Sequence, residues 1–181
     1  MTEIIEAIDV WTSDRYSAYT KKLWGFCELV RKTSGGTEQA MPMTIPSNPS
    51  DRQLQVSLDD RYNFITWIRW AQPVSYSNND DWTWGKSESR IGNLQLRLVL
   101  AHKRVLGEDL VFDFINAFPS KFTISGFQFV FTEATPTIDP DHETIYQTEL
   151  GNTVYEKHRF DWNIYVLNIT MQFLECEELT P

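Results

Sequence analysis

Between Asn93 and Ala101 apolar and polar side chains alternate. Leu94, Leu96, Leu98 and Leu100 fall on one side of an extended chain, Gln95 and Arg97 on the other. A strand turns successive side chains to opposite faces, so this stretch predicts a sheet strand with one buried face. Gly107 breaks the pattern, and Glu108 and Asp109 open a predicted helix, where carboxylates suit the positive end of the helix dipole. Leu110, Val111, Phe114, Ile115 and Phe118 form its apolar stripe. Pro119 ends it, because proline cannot continue the hydrogen-bond ladder. A second strand is predicted over 121–132. This strand–helix–strand unit, Ile91 to Phe131, is the part that the rest of the chain is arranged around.

Upstream, Thr2 is placed to cap a first helix. Ile4, Ile5, Ile8 and Trp11 follow at helical spacing, and the helix is expected to stop near Ser13–Asp14. Residues 15–22 fit no single pattern. Leu23 to Lys32 alternates loosely and predicts a strand. The Ser- and Gly-rich 33–38 is a turn by composition, and Ala40 to Ile45 pairs back. The result is a hairpin arm at about 23–46, made irregular and edge-like by Pro42, Pro46 and Pro49. Arg52 to Leu58 predicts another strand, with Leu54, Val56 and Leu58 on one side. Asp59-Asp60-Arg61 is turn chemistry. Tyr62 to Trp70 is apolar on both faces, which requires a central strand or a neighbour on its outer face. Residues 72–90 read as a long polar loop carrying Trp82 and Trp84, or as the tip of a long hairpin whose second strand is Ile91 to Ala101.

Downstream, Phe122 and Ile124 point one way and Phe127, Phe129 and Phe131 the other, with a bulge expected at Ser125–Gly126. Residues 133–142 read as a loop, Thr144 to Thr148 as a strand and Gly151-Asn152 as a turn. A closing strand runs from Val154 through Phe160, Trp162, Ile164 and Val166. Its apolar phase then shifts to Leu167, Ile169, Met171 and Phe173, so either it is bulged or both of its faces are covered. About seven strands and two helices give a single α+β domain over 1–181. It is mainly an antiparallel sheet, with one or two flanking helices and long projecting hairpins.

Composition narrows the function. The chain is 41% hydrophobic and 14% aromatic, enough to fill a core, which excludes bulk disorder. A net charge of −9 argues against binding nucleic acid by neutralising phosphates. It does not exclude a wall past which DNA slides without sticking, because like charges repel. Cys27 and Cys176 show no pairing or metal spacing and read as reduced thiols, which fits a cytoplasmic origin. The opening Met-Thr-Glu-Ile-Ile-Glu is not expected to be a signal peptide, and no apolar run approaches a membrane span.

Candidate chemistry is sparse. None of the three histidines lies at i, i+4 from another ligand on a helix; Asp139, Asp141, His142 and Glu143 could crowd a metal, but Pro140 interrupts them and they read as a solvated loop. Asn78 to Asp81 lacks the alternating ligands and distal Glu of a calcium loop. Ser34-Gly35-Gly36-Thr37 lacks the lysine of a phosphate cradle, and Ser125-Gly126 lacks the flanking glycine of a nucleophile elbow. Cys27 reads as a core thiol. No catalytic residue, metal or cofactor is expected, and the chain is not expected to be an enzyme. Among seven tryptophans, Trp11, Trp67, Trp70, Trp82 and Trp84 are the candidate interface anchors. Core packing is an alternative for Trp67 and Trp70. Sugar stacking is an alternative for the exposed ones, which would make the chain a Trp-rich carbohydrate-binding module.

From Ile91 to Phe173 the order of elements resembles the tail-terminator and neck-ring proteins that form head–tail connectors in tailed bacteriophages. The likeness rests on the Leu94–Leu100 strand, the Asp109–Phe118 helix, the Phe127–Phe131 strand and the closing Arg159–Phe173 strand. The arm at 23–45 looks more like a ring protein of a large podovirus neck. The resemblance implies a structural virion protein, assembled in the host cytoplasm as a ring of identical subunits. Its partners would be the portal and other connector or tail proteins. Double-stranded DNA would pass through the channel without specific binding, and no membrane would be involved. No functional residue of that family is carried over.

Indoles in a polar loop gain most when a neighbour buries them, and a large aromatic anchor contributes about 2 kcal/mol or more to a contact. Trp82→Ala combined with Trp84→Ala is therefore expected to shrink the oligomer peak in size-exclusion chromatography while circular dichroism stays native-like. An unfolded double mutant would place the two indoles in the core instead.

Overall fold

The computed structural model describes residues 2–34, 37–46, 50–78, 87–120, 129–138, 149–150, 154 and 157–178. The elements are α1 (Thr2–Arg15), β1 (Lys21–Ser34), β2 (Thr37–Thr44), β3 (Phe64–Asn78), β4 (Ser87–Lys103), a 3₁₀ turn (Arg104–Leu106), α2 (Asp109–Ala117), β5 (Phe129–Ile138) and β6 (Trp162–Glu178). The strands form one sheet in the order β2-β1-β3-β4-β6-β5. Only the β1–β3 pair is parallel; every other neighbouring pair is antiparallel. The fold class is α+β, with a mainly antiparallel sheet and two helices.

Each face of the sheet carries its own core. On face one, Leu94, Leu96, Leu98 and Leu100 of β4 join Leu167, Ile169 and Met171 of β6, and Ile4, Ile5 and Ile8 of α1 and Val111 and Phe114 of α2 pack over them. Tyr16, just past α1, stacks on Phe64 at 4.6 Å and on Phe114 at 5.7 Å, tying the two helices to β3. On face two, Ile65, Trp67, Val99, Ala101, Trp162, Ile164 and Val166 lie with Val56, Leu58 and Leu150. The leucine row and the α2 stripe thus sit as the alternation predicts. The phase shift in the closing strand also has an answer: β6 pairs with β4 without interruption from Trp162 to Glu178. It is not bulged. Both faces are covered at one end, and from Leu167 to Gln172 only face one stays apolar.

A real bulge lies in β1. Its register against β3 shifts between Leu23 and Phe26, and Gly25 takes φ +68, a region open to glycine. Phe26 then turns to face one while Cys27 joins face two.

Several expectations need correction. Arg52–Leu58 is not a full strand: it meets β2 at a single bridge, Met43–Gln55, flanked by the Thr44 N–H donating to Leu54 O (2.8 Å) and the Val56 N–H donating to Pro42 O (2.9 Å). Val56 and Leu58 are buried, but Leu54 is 56% exposed, so the alternation served two contacts rather than a whole face. The polar loop expected at 72–90 is largely ladder. β3 runs to Asn78 and β4 starts at Ser87, with Asn78 opposite Arg90. Ala71, Gln72 and Ser75 are exposed; a strand with no core beneath it can be polar and so looks like a loop. The loop expected at 133–142 is β5 as far as Ile138, and Pro136 is accommodated because β5 is an edge strand. Residues 149–150, 154 and 157–158 are helical, so the closing strand begins at Trp162 and not near Val154. The expected strand segments 121–128 and 144–148 and the loop tip 79–86 lie outside the described residues, as does any projection of the hairpins beyond them.

Asp9 of α1 faces the β1 bulge: a Cβ on Gly25 would lie 3.8 Å from Asp9 Oδ2. Burial, helped by the nearby Glu6 carboxylate, raises the Asp9 pKa from 3.8 to about 6. A carboxyl whose pKa is raised on folding favours the folded state while protonated, below its unfolded value, and loses that contribution as pH rises through about 6. Asp9→Asn should therefore raise the unfolding free energy at pH 8 by about 1 kcal/mol, solvent screening keeping the gain modest. The advantage should vanish near pH 4, a pattern that urea titrations at the two pH values would check.

Candidate functional site

Face two changes character at one level across three strands. On β3 the apolar Ile65 and Trp67 give way to Arg69; on β4 Val99 and Ala101 give way to Arg97; on β6 Ile164 and Val166 give way to Asn168. Arg69 and Arg97 are direct partners in the antiparallel register, and Arg97 is opposite Asn168 on its other side. Two like charges directly opposite destabilise a ladder.

Glu149 resolves the conflict. It is 1% exposed and accepts from the Arg69 guanidinium with both oxygens: Nε lies 2.9 Å from Oε2 and 3.1 Å from Oε1, and Nη2 also donates to Oε1. Arg97 Nη1 stands 3.9 Å from Glu149 Oε1, an ion pair too long to be a hydrogen bond. Leu150, next in the chain, enters the face-two core. The Glu149–Leu150 pair thus marks where the cover of this face ends, with an ion pair on the wet side and a leucine on the dry side. Two guanidiniums against one carboxylate leave a net positive charge. It is concentrated on Arg97, whose side chain is 36% exposed against 16% for Arg69.

Beyond Arg97 the same face is a polar carpet. Gln95 is opposite Thr170 and Asn93 opposite Gln172, where Gln172 Nε2 donates to Asn93 Oδ1 at 3.2 Å. Thr170 and Gln172 are exposed. Amides and a hydroxyl hydrogen-bond, and a guanidinium pairs with anions, so the surface offers the chemistry of binding.

The residues singled out from sequence fall elsewhere. Trp67 is fully buried in the face-two core and has no surface to offer a neighbour, which corrects its place among the interface anchors. Trp11 is half-buried and meets Phe114 and Phe118 edge-on at 5.0 and 5.3 Å. Trp70 is half-buried, edge-on to Phe26 at 5.2 Å. Trp82 and Trp84 lie outside the described residues. Cys27 is buried, and its thiol pKa is pushed up to about 12 by burial and by the Asp9 charge, the opposite of an activated nucleophile. Cys176 is in β6 opposite Ser89. His102 is buried and stacks on Tyr165 at 5.6 Å, and burial lowers the His158 pKa. His142 and its acidic neighbours, like Ser125–Gly126, lie outside the described residues. Among the described residues no group of His, Cys, Asp and Glu is placed to hold a metal ion. Sequence reading assigned Arg97 to the polar side of the leucine strand but missed its charge partner, because nothing local links residue 149 to residues 69 and 97.

No family model, curated protein or solved structure matches the chain.

Removing one member of a buried ion pair leaves an uncompensated charge and costs about 3–5 kcal/mol. Glu149→Ala is expected to lower the urea midpoint by that order, whereas Arg97→Gln, whose contact is longer and wetter, should cost well under half as much. Equal losses from the two variants would show instead that Arg97, and not Arg69, is the main partner of the carboxylate.

Proposed function

We propose that the chain is a structural subunit that assembles into a ring at the head–tail junction of a tailed bacteriophage. The resemblance of the Leu94–Leu100, Asp109–Phe118 and Arg159–Phe173 elements to tail-terminator and neck-ring proteins supplies the setting. The observation that carries the assembly reading is the length of the central strands relative to the core that covers them. β4 and β6 have 17 residues each. At about 3.3 Å per residue such strands span ~56 Å. A compact chain of this size has a radius of gyration of only ~16 Å, or about 40 Å across. On face two the apolar cover ends at Trp67, Val99 and Val166, while the ladder continues to Asn78 opposite Arg90 and to Ser87 opposite Glu178. Among the described residues, the face-two side chains from Arg97 to Asn93 belong to neither core, and this part of the ladder can serve a neighbour.

Two further features support this reading. The charge of −9 favours free passage of DNA over adhesion. The tryptophans among the described residues, Trp11, Trp24, Trp67, Trp70 and Trp162, are all buried or half-buried, so they supply no open indole platform for a sugar ring.

Mass photometry of the purified chain over a range of concentrations, alone and with portal and connector proteins, tests the proposal. A closed oligomer of fixed stoichiometry is the expected result, with no retardation of double-stranded DNA at physiological salt. A chain that stays monomeric throughout and joins no virion assembly would overturn it.

A further inference from the structure

We infer that neighbouring copies meet head to tail, the outer face of α2 on one copy docking on the Arg97 polar face of the next; this deepens the ring reading and rests on it. The two surfaces lie on opposite sides of the same sheet. α2 covers face one through Leu110, Val111 and Phe114, while Arg97 belongs to face two beside Glu149. Because the two patches differ and face opposite ways, a contact between them is heterologous. It leaves one of each free on every pair, and it propagates until a rotation closes it into a ring.

The chemistry of the patches is complementary. Asp109, Phe112, Asp113 and Asn116 are all exposed and spaced i, i+3, i+4, i+7, so they form one stripe along α2. Phe112 is 55% exposed, an aromatic with no core to fill, flanked by carboxylates. Across the contact, Arg97 holds Glu149 only at 3.9 Å and keeps donors for a second carboxylate, with the Gln95 amide and the Thr170 hydroxyl one pair further along. The stripe from Asp109 to Asn116 is about 10 Å long at 1.5 Å per residue. The carpet from Arg97 to Asn93 is about 13 Å long at 3.3 Å per residue, so the two match in extent. An exposed aromatic set among charges that meet opposite charges is the usual make-up of an interface anchor and its rim.

The test avoids Arg97, whose loss would also disturb Glu149. Thr170→Glu adds a repelling charge to the carpet, Asp109→Lys reverses one on α2, and Phe112→Ala removes the anchor. All three positions are exposed, so thermal melting of the dissociated subunit should hardly move for Thr170→Glu and Phe112→Ala and should fall slightly for Asp109→Lys, which reverses a favourable charge in the first turn of α2. Each change should raise the concentration at which the oligomer dissociates, by about tenfold, as mass photometry reads it. Thr170→Glu combined with Asp109→Lys should recover most of the loss, since the new charges attract. Rings indifferent to all three changes, or a double variant no better than the worse single one, would overturn the contact and leave the ring reading standing. A wild type that never oligomerises would overturn both.

Discussion

The structure depends on one asymmetry in β4. Its even-numbered side chains, Leu94 to Leu100, need burial along the whole row, while of the odd-numbered ones from Asn93 to Ala101 only Val99 and Ala101 do. Face one therefore has to be roofed over its full length, and α1 and α2 do this with the Tyr16–Phe64–Phe114 stack holding them together. Face two needs only a partial roof, which the segment around Val56 and Leu58 and the short helical piece at Leu150 provide. Where that roof stops, Arg69 and Arg97 come opposite each other and Glu149 must stand between them. The ion pair is thus a consequence of where the apolar pattern ends. Its function in the fold is to let a strand pass from dry to wet surroundings without an unpaired buried charge.

How much of this was legible depends on which interactions are local. The leucine row, the α2 stripe and its stop at Pro119 need only neighbours in sequence, and they appear as the period predicts. The phase shift after Val166 was legible as a fact but ambiguous in cause. Only the unbroken register with β4 shows that it marks the end of a roof and not a bulge. The polar ends of β3 and β4 were hidden for the same reason. Ala71, Gln72 and Ser75 are exposed and bury no stripe, so the strand state here is dictated by the hydrogen-bonded partner and not by their own pattern. Glu149 was illegible as a site residue, since its role rests on arginines 80 and 52 positions away in sequence that only the sheet brings together. Conversely, Trp67 looked like a surface anchor because aromatics serve cores and interfaces alike, and exposure alone separates them.

The edges of the sheet explain why association should run through faces. An open edge strand is a template for indiscriminate pairing, and proteins blunt it. On one side β2 is met by the Met43–Gln55 bridge and by backbone bonds from Thr44 and Val56, and Pro42 lies in the strand. On the other side β5 carries Pro136, which has no N–H to offer. Both edges are thus made poor ladders. In the ring proposed above, a second copy would meet instead two faces of different chemistry: a helix stripe with carboxylates around Phe112, and a strand surface with a guanidinium among amides. Side-chain contacts of that kind are directional and saturable. They can fix one rotation between neighbours, which a ring requires and an open edge would not enforce.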